Sequence, residues 1–265
     1  MALSLYDKNS LAAVWFFVVF YVVYGIFLTV RQESIIYQPS PQDFSTCPNL
    51  VQAEKITHGG TRMYFKDNGP RVAVLYHGNF GSACDRAFIA GLFEQAGYSY
   101  LLPEYAGYSN DNGKPSHERI KKDVEHAVDF LRTRNFSEVV VVGESVGDRF
   151  ASYHASLLPP KKLLLISSFT TLVDIAREAF WFYPISLLVR DEFDNAHLLE
   201  DFQKEVVLLH GDKDDIIPLA LGQKLFAQLT TPHKKMIIIP GAGHNDLFAF
   251  PETYQAIDDF LKEGQ

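Results

Sequence analysis

Only two cysteines, Cys47 and Cys84, occur in 265 residues. Two are too few for a disulfide scaffold or a zinc ribbon, and they leave the redox compartment open. Basic residues are also in deficit, with 24 Lys and Arg against 32 Asp and Glu, a formal net charge of −8. Nucleic-acid binding draws on clustered cations that displace counterions, so no nucleic-acid partner is expected. No ligand cluster with metal spacing is present, so neither a metal nor an organic cofactor is expected. Internal repeats are absent, and low complexity is confined to one apolar run. With 47% hydrophobic residues the chain is neither disordered nor collagen-like. A chain of this length buries roughly 70–75% of its unfolded surface and needs no staples.

The apolar run is residues 11–30, LAAVWFFVVFYVVYGIFLTV, uncharged and bounded by Lys8 and Arg31. Twenty residues at 1.5 Å each match a hydrocarbon layer of about 30 Å. Thirteen of them are Leu, Ile, Val or Phe, each favouring insertion by roughly 0.3–0.6 kcal/mol at the helix centre. No polar stripe exists for a buried core helix to expose. A cleaved signal peptide competes, but its apolar region is usually about 7–15 residues and ends at a small-x-small site, whereas Thr-Val-Arg-Gln follows here. The expectation is a single-pass N-terminal membrane anchor. Lys8 on one flank nearly balances Arg31 on the other, so the side of the membrane is not assigned.

Beyond a polar exit rich in turn formers, short β-branched runs appear at 71–76, 98–102, 138–142, 162–167, 205–210 and 235–239. Between them lie stretches of helical periodicity at 84–96, 117–134, 149–157, 219–229 and 253–261. Continuous apolar strands separated by helices predict an α/β fold, a mostly parallel sheet with helices on both faces. The expected organisation is a flank over 1–10, the anchor over 11–30 and one domain over 34–265. About 37 residues separate the strand runs ending at Ser167 and starting at Glu205, far more than most such connections. This span predicts a helical lid at about 171–203, the alternative being an ordinary crossover helix with long loops. As a lid it would offer Phe180, Trp181, Phe182 and Tyr183 as pocket walls, with Phe80 a further pocket candidate; as core they would be packing residues.

The chemistry starts at Gly143-Glu144-Ser145-Val146-Gly147, directly after one strand run and before a helical one. A turn that sharp requires glycine on both sides and holds the serine hydroxyl at its tip, beside a helix amino terminus. A serine needs a neighbouring base. Of nine histidines, His244 in Gly241-Ala242-Gly243-His244 follows the last strand run, where loops leave the carboxyl edge of the sheet. His117, His126 and His154 fall on helices and read as solvated or lightly packed; His77 and His210 close strands. A carboxylate must fix the imidazole tautomer. Asp212, Asp214 and Asp215 follow the penultimate strand, and spacing does not choose among them.

The order Ser145, Asp cluster, His244 resembles an α/β-hydrolase, and within that superfamily the membrane-anchored, small-lid branch of hydrolase-domain proteins. The resemblance spans roughly residues 34–261. It implies that Asp214, the D of H-G-x-x-D-x-x-(V/I)-P, is the acid, and that the backbone N–H groups of Asn79, in His77-Gly78-Asn79-Phe80, and of Val146 form the oxyanion hole. Tyr105-Ala106-Gly107-Tyr108-Ser109 resembles that family's R-G-x-G-x-S loop without its Arg and one Gly. Asp148 also departs from the pattern, which has a small residue there; with Glu144 it is expected to disfavour an oxyanion, Arg149 offsetting one of the two. The implied function is a membrane-anchored serine hydrolase acting on an ester, thioester or amide through an acyl-enzyme. The alternative is a catalytically impaired module of the same fold that binds a lipid or partner protein.

Overall fold

A computed structural model describes residues 8–190 and 194–262; part of the 1–10 flank and residues 191–193 of the expected lid lie outside them. The apolar run forms one helix, α1 (Lys8–Ile36), and β1 (Gln38–Pro39) follows it at once. The span Ser10–Ile36 is long and apolar enough to cross a membrane, and only 6% of its most apolar window is buried.

The domain then runs β2 (Glu54–His58), β3 (Thr61–Lys66), β4 (Arg71–Tyr76), β5 (Phe80–Gly81), α2 (Ala87–Gln95), β6 (Ser99–Glu104), α3 (His117–Arg132), β7 (Glu138–Glu144) and α4 (Gly147–Leu157). It continues with β8 (Lys162–Ile166), α5 (Leu172–Ala179), α6 (Ile185–Leu188), α7 (Asn195–Leu198), β9 (Glu205–Gly211), α8 (Leu219–Gln228), β10 (Lys234–Ile239) and α9 (Pro251–Lys262). Every strand run read from the sequence forms a strand. The hairpin β2–β3 was not anticipated: its residues are mostly polar, and the signal was Gly59-Gly60, both at positive φ in the turn. Three short helices, α5 to α7, occupy the long insertion.

Eight strands form one sheet in the order β10-β9-β8-β7-β4-β6-β3-β2. The pairs from β10 to β6 are parallel, and the hairpin closes the edge in antiparallel fashion. Successive residues of each central strand face opposite cores. Val72, Val74, Val141 and Leu163 meet α3 and α4 on one face, while Ala73, Leu75, Val142 and Leu164 meet α2 and α9 on the other. Strands wetted on neither face need no polar alternation, hence runs such as Val139–Val142 in β7. Strand order reverses at β4, which lies between β6 and β7, so the loops after β4 and β7 open a crevice at the carboxyl edge.

The two cysteines are joined. Cys47 and Cys84 form a disulfide with Cα atoms 5.8 Å apart, tying the segment after α1 to the turn below β5. Closing a 37-residue separation is worth about 3–4 kcal/mol in the chain-entropy account.

A buried carboxyl fastens the far edge. Asp123 on α3 accepts from the Thr61 hydroxyl at 2.5 Å and from the Ala106 N–H at 2.7 Å. Burial outweighs these bonds and pushes its carboxyl up from 3.8 to about 6. The folded state therefore keeps this proton to higher pH than the unfolded chain, and the associated stability is lost as pH rises from about 4 through about 6. Asp123→Asn, whose amide oxygen can accept from the Ala106 N–H while its NH2 donates to the Thr61 hydroxyl, is expected to flatten that window of the pH–stability curve by roughly 2–3 kcal/mol, read by thermal or urea melting.

Candidate active site

Gly143 and Gly147 are required by close approach. A Cβ on Gly147 would lie 2.2 Å from the Tyr76 carbonyl oxygen, and one on Gly143 2.5 Å from the Asp148 Cα. Between them Ser145 adopts φ +53°, a region that side chains rarely occupy, and its N–H donates to Ile166 O at 2.8 Å. The turn thus lifts the hydroxyl out of the sheet's end.

His244 arrives from the loop after β10. Its Nε2 is 3.0 Å from Ser145 Oγ, and its Nδ1 is 2.8 Å from Asp214 Oδ2. With Nδ1–H donating to the carboxylate, Nε2 is the acceptor facing the hydroxyl. The three candidate aspartates separate cleanly. Asp214 is buried facing His244, Asp212 instead accepts the Gly241 N–H at 2.6 Å, and Asp215 is exposed. Asp214 Oδ1 accepts from Ile217 N–H at 2.7 Å and Ile216 N–H at 3.1 Å. Burial opposes the charge on Asp214, but the hydrogen bond and charge of His244, the Ile217 N–H and His210 outweigh it and hold the carboxyl below its ordinary range.

The loop after β4 is held without slack. Tyr105 donates to His77 O at 2.7 Å and stacks on the His77 ring at 3.9 Å. Tyr108 donates to Asn79 O at 2.7 Å, and the Gln38 N–H reaches the same oxygen at 3.1 Å. Two phenols of the Tyr105–Ser109 segment thus brace the loop. Val146, on the other side, begins α4 and is buried.

Two cavities flank Ser145. One, of about 620 Å³, is walled by Ile35, Ile36, Leu172, Ile175 and Ile216. The other, of about 340 Å³, contains Arg86, Glu144, Phe88, Asn245 and Phe248. Phe80 lines both. The remaining pocket candidates are corrected: Phe180, Trp181 and Tyr183 line neither cavity. Tyr183 stacks on Tyr21 at 4.2 Å, Phe180 lines a separate crevice against α1, and Trp181 is 81% exposed. Tyr183 and Phe180 instead meet α1.

The charges near the elbow are also distributed otherwise than expected. Glu144 is held by Arg86, not Arg149, at 2.5 and 2.9 Å. Asp148 is wholly buried, accepts the Phe169 N–H at 3.2 Å, and burial pushes its carboxyl well above the usual range. Burial thus favours the uncharged form of this carboxyl, which would not repel an oxyanion. His154, read as solvated or lightly packed, is also wholly buried; it meets Tyr76 Oη at 2.8 Å, and burial pushes it down to about 3. Sequence reasoning missed Arg86, whose partner is 58 residues away, and Ile35 and Ile36, which fall in the polar exit after the apolar run.

Among the described residues no group of His, Cys, Asp and Glu stands ready to hold a metal. A parallel sheet with its strand order reversed at β4, a glycine-flanked serine turn after β7 and a helical insertion between β8 and β9 define the α/β-hydrolase fold. No protein-family model matches the chain. It is 30% identical over 234 residues, 83% of each chain, to an uncharacterized protein of Mycobacterium tuberculosis strain CDC 1551. It is 25% identical to alpha/beta hydrolase domain-containing protein 17B of Xenopus tropicalis, covering 74% of this chain and 68% of that one. An esterase of Pyrococcus furiosus shares the fold at a TM-score of 0.68 and 16% identity, covering 86% of this chain and 97% of that one. The chain thus has relatives among the alpha/beta hydrolase domain proteins and shares the fold of known esterases.

Because burial favours the neutral form of Asp148, Asp148→Asn is expected to leave hydrolysis of a short p-nitrophenyl ester within about twofold of wild type. A several-fold rise would mean that charge repulsion does limit turnover.

Proposed function

We propose that this protein is a membrane-anchored serine hydrolase that cleaves an acyl ester, thioester or amide through a covalent acyl-enzyme. The observation that carries the reading is the chain of contacts from Ser145 Oγ through the His244 ring to the buried Asp214 carboxylate, at 3.0 and 2.8 Å.

In this mechanism Ser145 attacks the carbonyl carbon while His244 Nε2 takes its proton. Asp214 holds the imidazole by Nδ1 and stabilises the cation that forms. It remains ionised throughout, since its carboxyl lies below the ordinary range. The N–H groups of Asn79 and Val146 receive the oxyanion, a contribution of about 3–4 kcal/mol per donor in comparable enzymes. His244 then protonates the leaving group, and water enters and repeats the cycle on the acyl-enzyme. The bracing of the 77–80 loop supports this, because donors that need no reorganisation stabilise charge best. The helix α1 would serve as the anchor, its 20-residue uncharged run matching the bilayer. The esterase fold shared with the Pyrococcus furiosus protein supports an ester substrate. The Cys47–Cys84 disulfide supports a domain on the oxidising side of its membrane, because cytosolic thiols are kept reduced.

A fluorophosphonate probe should label the protein and fail to label Ser145→Ala; labelling of that variant, or none of wild type, would overturn the assignment. Protein from native membranes, denatured with a maleimide–polyethylene glycol present, should shift in gel mobility only after reduction. A shift without reductant would put the domain on the reducing side.

A further inference from the structure

The lid has an unusual neighbour. Residues 180–189, FWFYPISLLV, carry no charge and run beside α1 instead of standing free. Tyr183 donates to Tyr21 O at 2.9 Å, and Tyr21 donates to Phe182 O at 2.7 Å. A Cβ on Gly25 would lie 3.1 Å from the Tyr183 ring, so a small residue there admits the contact. Gln32 closes the lid's far end with two bonds to the Arg190 backbone, at 2.7 and 3.0 Å. The Tyr183 ring therefore lies level with Gly25, five residues and about 8 Å inside the Val30 end of the apolar run. Interfacial segments bury their apolar faces to about that depth.

The outward face of this segment is apolar and unpartnered. Trp181 is 81% exposed, Leu187 82% and Phe182 49%. Arg177 and Arg190, the nearest cations, flank the uncharged stretch on either side. Exposed clusters of this kind on a soluble surface are costly, but beside a spanning helix they meet lipid.

Between α1 and the lid runs an apolar crevice of about 110 Å³, lined by Leu28, Ala176, Phe180, Ile185 and Leu188 among others. Its lining shares Ile35, Ile36 and Leu172 with the 620 Å³ cavity at Ser145 and His244. Only this mostly apolar wall stands between the crevice, which reaches the depth of Leu28, and the cavity at the nucleophile. The second cavity at Ser145 carries the Arg86–Glu144 ion pair, a polar environment on the other side of the hydroxyl.

Building on the anchored serine hydrolase proposed above, we infer that lid residues 180–188 dip into the bilayer beside α1. The crevice between them is the lateral port through which the acyl chain of a membrane-resident ester reaches Ser145. The substrate class that fits is an amphiphile whose long chain enters from lipid and whose polar part lies toward Arg86 and Glu144.

The protein has two tryptophans, Trp15 and Trp181, which separate the claims. The full chain is placed in phosphatidylcholine vesicles with acyl chains brominated near the top or near the middle. In Trp15→Phe, fluorescence of the remaining Trp181 should be quenched, more strongly by the shallow bromines. In Trp181→Phe, quenching of Trp15 reports the anchor alone. Quenching of Trp15 without Trp181 would overturn the lid inference and leave the anchor standing; quenching of neither would remove both. The port is tested by Ala176→Phe, in a form melting as wild type does. Hydrolysis of a long-chain ester in vesicles should fall at least tenfold relative to that of a soluble short-chain ester. An unchanged ratio overturns the port. Inert wild-type protein that still shows Trp181 quenching would fail the hydrolase reading but not the lid's place in lipid.

Discussion

The arrangement around Ser145 depends on one close approach, that of the turn after β7 to the end of β4. Gly147 sits where any Cβ would strike the carbonyl oxygen of Tyr76 at 2.2 Å and that of His77 at 2.5 Å. That contact brings the start of α4 against the residues leading into the 77–80 loop. It follows from strand order: β4 and β7 are hydrogen-bonded neighbours, paired up to Tyr76 opposite Gly143. The sheet therefore delivers two backbone segments to one point, and glycine is the residue that lets them touch. The His244 loop is set similarly, since a Cβ on Gly211 would lie 2.2 Å from the Ala242 carbonyl oxygen.

Charge near this point is managed by burial and pairing. Glu144 and Arg86 form a two-contact ion pair at the edge of a cavity, so neither presents an uncompensated field to the serine. Asp148 lies underneath, where an ionised carboxylate would be costly, and burial favours its neutral form. Asp214 is the contrasting case. It too is buried, but two backbone N–H groups and an imidazole face it, and these keep it charged. Three acids near Ser145 thus sit in three different settings, each set by the donors available.

The apolar helix is part of this architecture as well as a possible tether. It ends in Ile35 and Ile36, which wall the cavity at Ser145. Two residues later the Gln38 N–H bonds the Asn79 carbonyl. Its middle turns hold the lid through Tyr21 and Gly25. A segment that composition alone marks as a membrane span therefore also shapes the site and meets the lid aromatics Tyr183 and Phe180.

The α/β class, the sharp turn at Ser145 and the choice of His244 were legible because each rests on local chemistry. These are apolar runs of strand length, glycines flanking a serine, and a small-residue loop after the last strand. The choice among Asp212, Asp214 and Asp215 was open in spacing and rested on a family pattern, because residues in one turn differ only in which way they point. The partners of Glu144 and Cys47, the burial of Asp148 and the packing of Tyr183 on α1 depend on segments far apart in the chain. The chain's own order determined which elements form and which residues stand at their ends. Only the tertiary structure decided which ends meet, since pairing and burial depend on neighbours in space that no local pattern encodes.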